Sequence, residues 1–158
     1  MMDLILWRHA QALDLVEGEE DVLRPLTQRG QKQAAQMAAW LHRHLPEGAR
    51  VLASPALRTE QTAHALSRPY HRPYQLHPEL LPGGAPQDLL ALVQWPSAQG
   101  TVLVVGHQPL LGQVAAQLLG MQACGCSVRK GAVWWLRQRQ RLGTTETVLL
   151  AVQSPELL

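Results

Sequence analysis

The sequence is poor in cysteine and lacks any apolar run long enough to cross a membrane. Its two cysteines, Cys124 and Cys126, are separated by a single residue. This spacing suits neither half of a zinc site nor a disulfide framework, so we interpret both residues as structural thiols. A transmembrane helix needs roughly 20 apolar residues. Because no run approaches that length, we expect no membrane association.

The start of the chain also lacks the pattern of a secretory signal peptide. Met1, Met2 and Asp3 provide no basic segment, and the charged Arg8 interrupts the apolar stretch that follows them. The sequence therefore predicts a cytoplasmic protein.

The chain also has little excess of positive over negative charge. The formal net charge is +2, and the only dense basic cluster is Arg137-Gln-Arg-Gln-Arg141. Nucleic-acid-binding proteins usually carry clustered lysines and arginines. Because these arginines alternate with glutamines on a predicted late strand, we interpret them as a solvated face and expect no nucleic-acid partner. Trp134 and Trp135 are interpreted as packing on opposite faces of the sheet.

The composition is that of one globular domain. Apolar residues make up 46% of the 158 positions, and no repeat, low-complexity tract or linker divides the chain. We therefore expect a single domain over residues 1–158. The alternation of strands and helices over the first 120 residues predicts a three-layer α/β/α sandwich with a mainly parallel central sheet.

Hydrophobic periodicity and turn residues delimit the individual elements. Thr27 is predicted to cap the first helix, and Ser54 the second, which places Arg58 about one turn inside that helix. Near residue 120 the pattern changes to a β-hairpin, and the tail from Ser154 is expected to be loose. The predicted ranges are strands 4–7, 51–53, 74–77 and 102–105, helices 28–45, 87–95 and 110–119, and hairpin strands 128–137 and 145–152.

Cationic and imidazole side chains follow three of the predicted strands. Arg8 and His9 come directly after the first strand, Arg58 follows the second, and His107 follows the strand at 102–105. The carboxyl ends of parallel strands meet at one edge of a sheet, where ligands of open α/β proteins bind. Two arginines and two histidines at this edge indicate a phosphate site.

An acidic and irregular stretch separates the first strand from the first helix. Residues 17–21 read Glu-Gly-Glu-Glu-Asp. Carboxylates inside a phosphate site would compete with phosphate for the arginines, so we expect this stretch to be a surface loop beside the site.

Four short motifs, in order along residues 3 to 152, resemble the histidine phosphatase (phosphoglycerate mutase-like) superfamily, most closely its SixA-like phosphohistidine phosphatase branch. Arg8-His9-Ala10 is similar to the Arg-His-Gly signature of the family, with alanine in place of glycine. The other three are Arg24-Pro-Leu-Thr-x-x-Gly30, Ser54-Pro-x-x-Arg58-x-x-Gln-Thr62 and Gly106-His107-x-Pro109. Each motif alone is weak, but their order makes chance agreement improbable.

The resemblance implies roles for these residues. His9 would be the nucleophile, neutral on its attacking nitrogen, while Arg8, Arg58 and a protonated His107 would bind and stabilise the phosphoryl oxygens. Glu79 is a candidate general acid, with a plain loop carboxylate as the alternative. Arg24 would contact substrate or anchor the acidic loop.

Other interpretations of the histidines remain open from the residues alone. Either His9 or His107 could be a structural, hydrogen-bonded histidine, and together they could bind zinc. Adjacent arginines repel a cation, and no third ligand has metal-like spacing, so we expect no metal.

By resemblance we expect a metal-independent phosphatase that needs no cofactor. Its substrate would be a phosphohistidine-bearing protein, and the chain itself is expected to be a monomer. The alternatives are a phosphatase for small phosphomonoesters and a non-catalytic phosphate-binding module. The last of these would need only the arginines, and His9 is present.

Overall fold

Six strands form one sheet in the computed structural model, which describes residues 1–158. The spatial order is β3-β2-β4-β1-β5-β6; neighbouring strands pair in parallel from β3 to β1, and β5 and β6 are antiparallel. The strands are β1 Met2–Arg8, β2 Arg50–Ala53, β3 Tyr74–Leu76, β4 Gly100–Gly106, β5 Val133–Arg141 and β6 Thr144–Gln153. The α-helices are α1 Gln28–His44, α2 Leu57–Tyr70, α3 Pro86–Val93 and α4 Leu110–Leu118.

Helices cover both faces of the sheet. Leu4 and Leu6 of β1 belong to a core that includes residues of α3 and α4, whereas Ile5 and Trp7 belong to a second core with α1 and α2. A strand buried on both faces is expected to contain a continuous apolar run, as β1 does over Leu4–Trp7. The predicted α/β/α sandwich is therefore confirmed. No helix is both long and apolar enough to span a membrane.

The two predicted helix caps have different outcomes. The Thr27 side chain accepts a hydrogen bond from the Gly30 amide at 2.9 Å, as expected for the start of α1. Ser54, however, does not cap α2, which begins at Leu57 behind Ala56. The Ser54 hydroxyl contacts His107 instead, and Arg58 is the second residue of the helix rather than one turn inside it.

The C-terminal hairpin begins later than predicted, and the tail is not loose. Residues 128–132 form a segment tied to the end of β1, where the Gly131 amide donates to the carbonyls of Arg8 and His9 at 3.1 and 3.0 Å. The tail forms a 3-10 helix over Pro155–Leu157, and the buried Pro155 packs against Gly131. Packing against this segment is what orders the tail.

The side chains of the hairpin agree with one of two expectations and differ from the other. Trp134 and Trp135 do pack on opposite faces of the sheet, each against a different core. The basic cluster, by contrast, is not wholly a solvated face. Arg137 forms hydrogen bonds of 2.7 and 2.8 Å with the carboxylate of the buried Asp3, because that carboxylate needs a counter-charge.

Candidate active site

The ends of the parallel strands surround a cavity of about 260 Å³. Arg8 of β1 lies opposite Gly106 of β4 in the sheet register, and the next residues along the two strands are His9 and His107. Their ring centroids are 5.3 Å apart. The residues that line the cavity are Arg8, His9, Ala12, Asp14, Arg24, Arg58, His107, Gln108 and Lys130.

His9 is buried, and a hydrogen bond fixes the tautomer of its neutral ring. Its Nδ1 lies 2.7 Å from the carbonyl oxygen of Ala10. A carbonyl only accepts, so Nδ1 carries the proton and Nε2 keeps its lone pair. Burial, with the charges of Arg58 and Arg8 beside it, lowers the pKa of His9 to about 4. At neutral pH the ring is therefore unprotonated, with the lone pair of Nε2 free.

Alanine at position 10 fits the site without strain. Ala10 does not have a positive φ, so the conformation that would demand glycine is not used here. Its amide donates to the Thr62 hydroxyl at 3.2 Å, and its side chain is buried beside Leu26 and Ala34. The departure from the Arg-His-Gly pattern therefore leaves the backbone around His9 undisturbed.

His107 is also buried, and in the absence of an anion its ring is neutral, whereas the sequence predicted a protonated ring in the phosphate-bound site. Its Nε2 lies 2.8 Å from the hydroxyl of Ser54, which also accepts from the Ala56 amide at 3.3 Å. Burial is the main cause that lowers the pKa of His107 to about 3, and the positive charge of Arg58 adds to it. The protein alone therefore holds both imidazoles neutral.

Arg58 is paired with a carboxylate of the acidic stretch. Its Nη2 lies 3.0 Å from Oδ2 of Asp21, and its Nη1 donates to the Asp21 carbonyl at 2.9 Å. The Arg24 Nε binds Oδ1 of the same carboxylate at 2.9 Å. Although burial alone would raise it, the hydrogen bond from Arg58 and the charges of both arginines keep the pKa of Asp21 below its usual value.

The acidic stretch lies at the surface beside the cavity, as expected, but its last residue, Asp21, forms ion pairs with two arginines of the cavity lining. Two neighbouring guanidinium groups, one of them only 3% exposed, repel each other unless a counter-charge lies between them. Asp21 provides that charge from a 3-10 helix over Asp21–Leu23. Arg24 also donates to the Leu13 carbonyl at 2.8 Å, so it anchors the loop as well as lining the cavity.

Three buried nitrogens around the cavity have no hydrogen-bond partner within the protein. They are Nε of Arg8, Nε of Arg58 and Nδ1 of His107. An unpartnered buried polar atom costs about 1–3 kcal/mol. All three belong to residues that line the same cavity, and two of them are cationic donors. An anion with several acceptor oxygens suits this donor set.

Glu79 is the one proposed site residue that lies outside the cavity lining. It sits in a 3-10 helix over Pro78–Leu80 with its side chain 48% exposed, and one carboxylate oxygen is 3.7 Å from Nδ1 of His77. The other five, Arg8, His9, Arg24, Arg58 and His107, line one cavity. No group of three or more metal-ligating side chains is clustered anywhere in the chain.

Several residues of the site were missed from the sequence. Ser54 directly follows β2, so the same strand-end rule that selected His9 and His107 could have found it. Asp14, Gln108 and Lys130 line the cavity from loops that carry no periodic signal. Asp21 had a weak signal, since it lies three residues before the motif arginine, Arg24.

Comparison with known proteins places these features in a family. The model of the histidine phosphatase superfamily (branch 1) matches residues 4–81, which include Arg8, His9 and Arg58. The phosphohistidine phosphatase SixA of Escherichia coli is 36% identical over 121 residues, 74% of each chain. An uncharacterised protein of Picosynechococcus is 34% identical over 99% of both chains.

Solved structures show the same fold over nearly the whole chain. A protein histidine phosphatase SixA complexed with tungstate has a TM-score of 0.81 and 28% identity, covering 98% of each chain. A phosphoserine phosphatase of Entamoeba histolytica, with 18% identity, 98% coverage of each chain and a TM-score of 0.71, shares the fold alone. The chain belongs to the histidine phosphatase superfamily, as one of its SixA-like members.

Proposed function

We propose that this protein, as one domain over residues 1–158, is a metal-independent phosphatase that removes the phosphoryl group from phosphohistidine in a protein. The observation that carries the proposal is the fixed tautomer of His9. Its Nδ1 proton is held by the Ala10 carbonyl, 2.7 Å away, so Nε2 is a free nucleophile beside three arginines. A module that only bound phosphate would have no need of it.

The reaction proceeds by two displacements at phosphorus. In the first, the Nε2 lone pair of His9 forms a bond to phosphorus, and the bond from phosphorus to the substrate imidazole breaks. The substrate imidazole, protonated from solvent on its other ring nitrogen, departs as a neutral ring. In the second, water attacks phosphorus, the bond to Nε2 breaks, and inorganic phosphate and neutral His9 are released.

The arginines supply the charge that stabilises both transition states. Arg8 and Arg58 each have an unpartnered buried Nε, and the Arg8 Nη1 is anchored to the Val128 carbonyl at 2.9 Å. Guanidinium groups held in this way need no reorganisation when charge develops on the phosphoryl oxygens. This supports a reaction that requires no metal, because the role of a divalent cation is already filled.

His107 is proposed to bind a phosphoryl oxygen. A dianion beside the buried ring would raise its low pKa, so that proton uptake by His107 accompanies binding of the substrate. Ser54 holds the ring by the contact of 2.8 Å to Nε2, which leaves Nδ1 as the atom without a protein partner. His107 thereby becomes cationic only when an anion is present.

A strong general acid is not required for this substrate. A substrate imidazole that carries a proton on its other ring nitrogen leaves as a neutral ring, whose conjugate acid has a pKa near 6.5, far below that of an alcohol, so no protein acid is needed to protonate the departing nitrogen. Glu79 lies outside the cavity lining, against His77, which supports the alternative that it is a plain loop carboxylate. Asp14 is the only carboxylate in the cavity lining.

The short connection between α2 and β4 favours a protein substrate. Residues 71–99 contain β3, a 3-10 turn and the eight residues of α3, which packs on the core below the sheet rather than over His9. Because no residue of α3 lines the cavity, its entrance is free to admit a side chain from a folded protein.

Steady-state kinetics test the proposal. We expect kcat/KM for a histidine-phosphorylated protein to exceed that for glycerate or sugar phosphates by at least about tenfold, or roughly 1.4 kcal/mol. The same assay repeated after exhaustive chelation should give unchanged rates. A preference for a small phosphomonoester would favour the alternative function, and a loss on chelation that zinc or magnesium restores would contradict metal independence.

A further inference from the structure

A second depression in the surface continues from the candidate active site. We call it the basic groove, and its lining residues are Arg8, Gln11, Arg29, Gln33, Arg129, Lys130 and Glu156. Arg8 and Lys130 line both the groove and the catalytic cavity, so the two are contiguous. A segment that enters the cavity can therefore extend into the groove.

The groove concentrates positive charge. It contains four cationic side chains and one carboxylate, a local surplus of three charges on a chain whose total is +2. Arg29 and Lys130 form no ion pair within the protein, and Arg129 reaches Glu156 only at 3.4 Å with 72% of its side chain exposed. These positive charges can bind a partner, because an exposed ion pair such as Arg129–Glu156 contributes only about 0–1 kcal/mol to stability and is easily exchanged.

The backbone beneath these side chains is held rigidly against β1. The Trp7 Nε1 and Arg8 Nη1 donate to the carbonyls of Gly131 and Val128 at 3.1 and 2.9 Å. Gly131 has φ +76°, and an added Cβ would lie 3.1 Å from Pro155 of the ordered tail. Arg129 and Lys130 are thus presented at a fixed position beside His9 rather than from a freely moving loop.

We propose that the basic groove binds acidic side chains that flank the phosphorylated residue of the protein substrate. This inference rests on the proposed function and adds to it the charge of the partner surface. Opposite charges around an interface orient the two partners as they approach, and they raise the association rate constant. The groove would select proteins with Asp or Glu next to the phosphohistidine over neutral ones.

The test uses the full chain with two synthetic peptides, each with one histidine flanked by four glutamates or by four glutamines. The charge-reversal variant is Arg29→Glu with Arg129→Glu, because neither residue lines the catalytic cavity. The matched control is Arg43→Glu with Arg141→Glu, two exposed arginines in the last turn of α1 and at the end of β5. Both pairs change the net charge equally.

Binding is measured first, by fluorescence anisotropy with unphosphorylated peptides, because it does not depend on turnover. We expect the wild type to bind the glutamate peptide at least about tenfold more tightly than the glutamine peptide at low salt. The groove variant should lose this preference and the control variant should retain it. Equal loss in both variants, or no preference in the wild type, would overturn the proposal. Tighter binding of a single-stranded oligonucleotide than of the glutamate peptide would also overturn it.

Turnover is measured next, with both peptides phosphorylated chemically on histidine and with phosphoramidate as the small substrate. The groove variant should lose kcat/KM about tenfold on the glutamate peptide and keep phosphoramidate hydrolysis. An equal loss on every substrate would assign Arg29 and Arg129 to the site itself and overturn the docking role. A wild type that hydrolyses nothing would refute the proposed function, while the binding result would still decide the groove.

Discussion

At the scale of single residues, the ring of the proposed nucleophile, His9, is oriented by the backbone next to it. The Ala10 carbonyl holds the proton on Nδ1, while burial and the neighbouring arginines lower the pKa of His9 and keep Nε2 unprotonated at neutral pH. No side chain other than His9 itself supplies the lone pair. In the proposed reaction, replacing the imidazole of His9 would therefore prevent formation of the phosphohistidine intermediate.

We therefore expect His9→Ala to abolish turnover while the protein stays folded, since the ring bonds only to the adjacent carbonyl. The wild type quenched during turnover should carry an acid-labile, base-stable phosphoryl group that the variant lacks. Circular dichroism checks the fold, and His64→Ala, at an exposed position of α2, serves as the control. Substantial activity in His9→Ala would contradict the mechanism.

Asp21 orients Arg58 but also competes with an anion for it. Asp21→Asn keeps the size of the side chain and removes its negative charge. Arg58 then loses its ion pair, so its side chain is held less firmly and its positive charge is no longer balanced. We expect kcat for phosphoramidate to fall by about tenfold while inhibition by inorganic phosphate becomes stronger. Asp21→Glu should restore part of kcat.

Glu20→Gln provides the matched control for Asp21, because Glu20 is exposed and its side chain makes no capping hydrogen bond. If Asp21→Asn and Glu20→Gln have the same kinetics, Asp21 has no positioning role. The sequence could not single out Asp21, because it ends a run of similar acidic residues in which no periodicity marks one position.

At the scale of elements, the loop between β1 and α1 carries Asp21 and Arg24 and is fixed where it meets the helix. The Thr27 amide donates to the Gln11 carbonyl at 3.0 Å, and the Leu26 amide donates to the Gln61 side chain at 2.7 Å. Gly30 lets α1 approach this loop closely, since an added Cβ would overlap the Gln11 carbonyl. The motif glycine thus has a packing role.

Gly30→Ala should therefore lower the free energy of unfolding by about 1–3 kcal/mol, because backbone must move to admit the methyl group. It should also lower kcat/KM, since the displaced loop carries Asp21 and Arg24. Gly48→Ala, where no atom lies within 4 Å of the added Cβ, should change stability by less than about 0.5 kcal/mol. Urea unfolding of both variants measures the difference, and equal stabilities would contradict this packing role.

Element prediction succeeded where one local signal dominated. The cap at Thr27 and the periodicity of α1 placed that helix within a residue of its observed end. The cap predicted at Ser54 is wrong because the hydroxyl contacts His107, which follows β4 and lies 53 positions away in sequence. Residues 128–132 were assigned to a strand because they are partly apolar, but their backbone bonds to β1 rather than continuing the hairpin.

At the scale of the whole molecule, the two buried histidines make stability depend on pH. Their folded pKa values, about 4 for His9 and about 3 for His107, lie below the ordinary value of 6.5. Below pH 6.5 both histidines take up protons in the unfolded chain but not in the folded chain, so the free energy of unfolding falls as the pH is lowered toward 4. Asp21, whose pKa is lowered, contributes to this loss only below its usual value of 3.8.

Between pH 7 and pH 5 we expect a loss of about 2 kcal/mol of unfolding free energy for each of the two histidines. Urea unfolding at the two pH values measures the loss, and the double variant His9→Ala with His107→Ala should show much less of it. A similar pH dependence in the double variant would place the titrating groups elsewhere. Tungstate or phosphate should protect the wild type at pH 5, because an anion raises both pKa values.

The fold and most of the cavity followed from the sequence because parallel strand ends must meet. Arg8, His9, Arg58 and His107 could be selected by that rule alone, before any resemblance was considered. The sequence could not predict which charged side chains would neutralise one another. The pairing of Asp21 with Arg58, and the neutrality of His107, depend on distances and burial that no local pattern encodes.

The position of β1 in the sheet has a consequence for synthesis of the chain. β1 is made first, yet its two neighbours are β4 and β5, which begin at residues 100 and 133. Until the ribosome has released most of the chain, a strand with the apolar run Leu4–Trp7 and both edges unpaired has no partner, and such a strand is prone to aggregate. The proposed nucleophile, His9, directly follows the strand that waits longest for its native contacts, and any product truncated before Gly100 leaves that strand exposed.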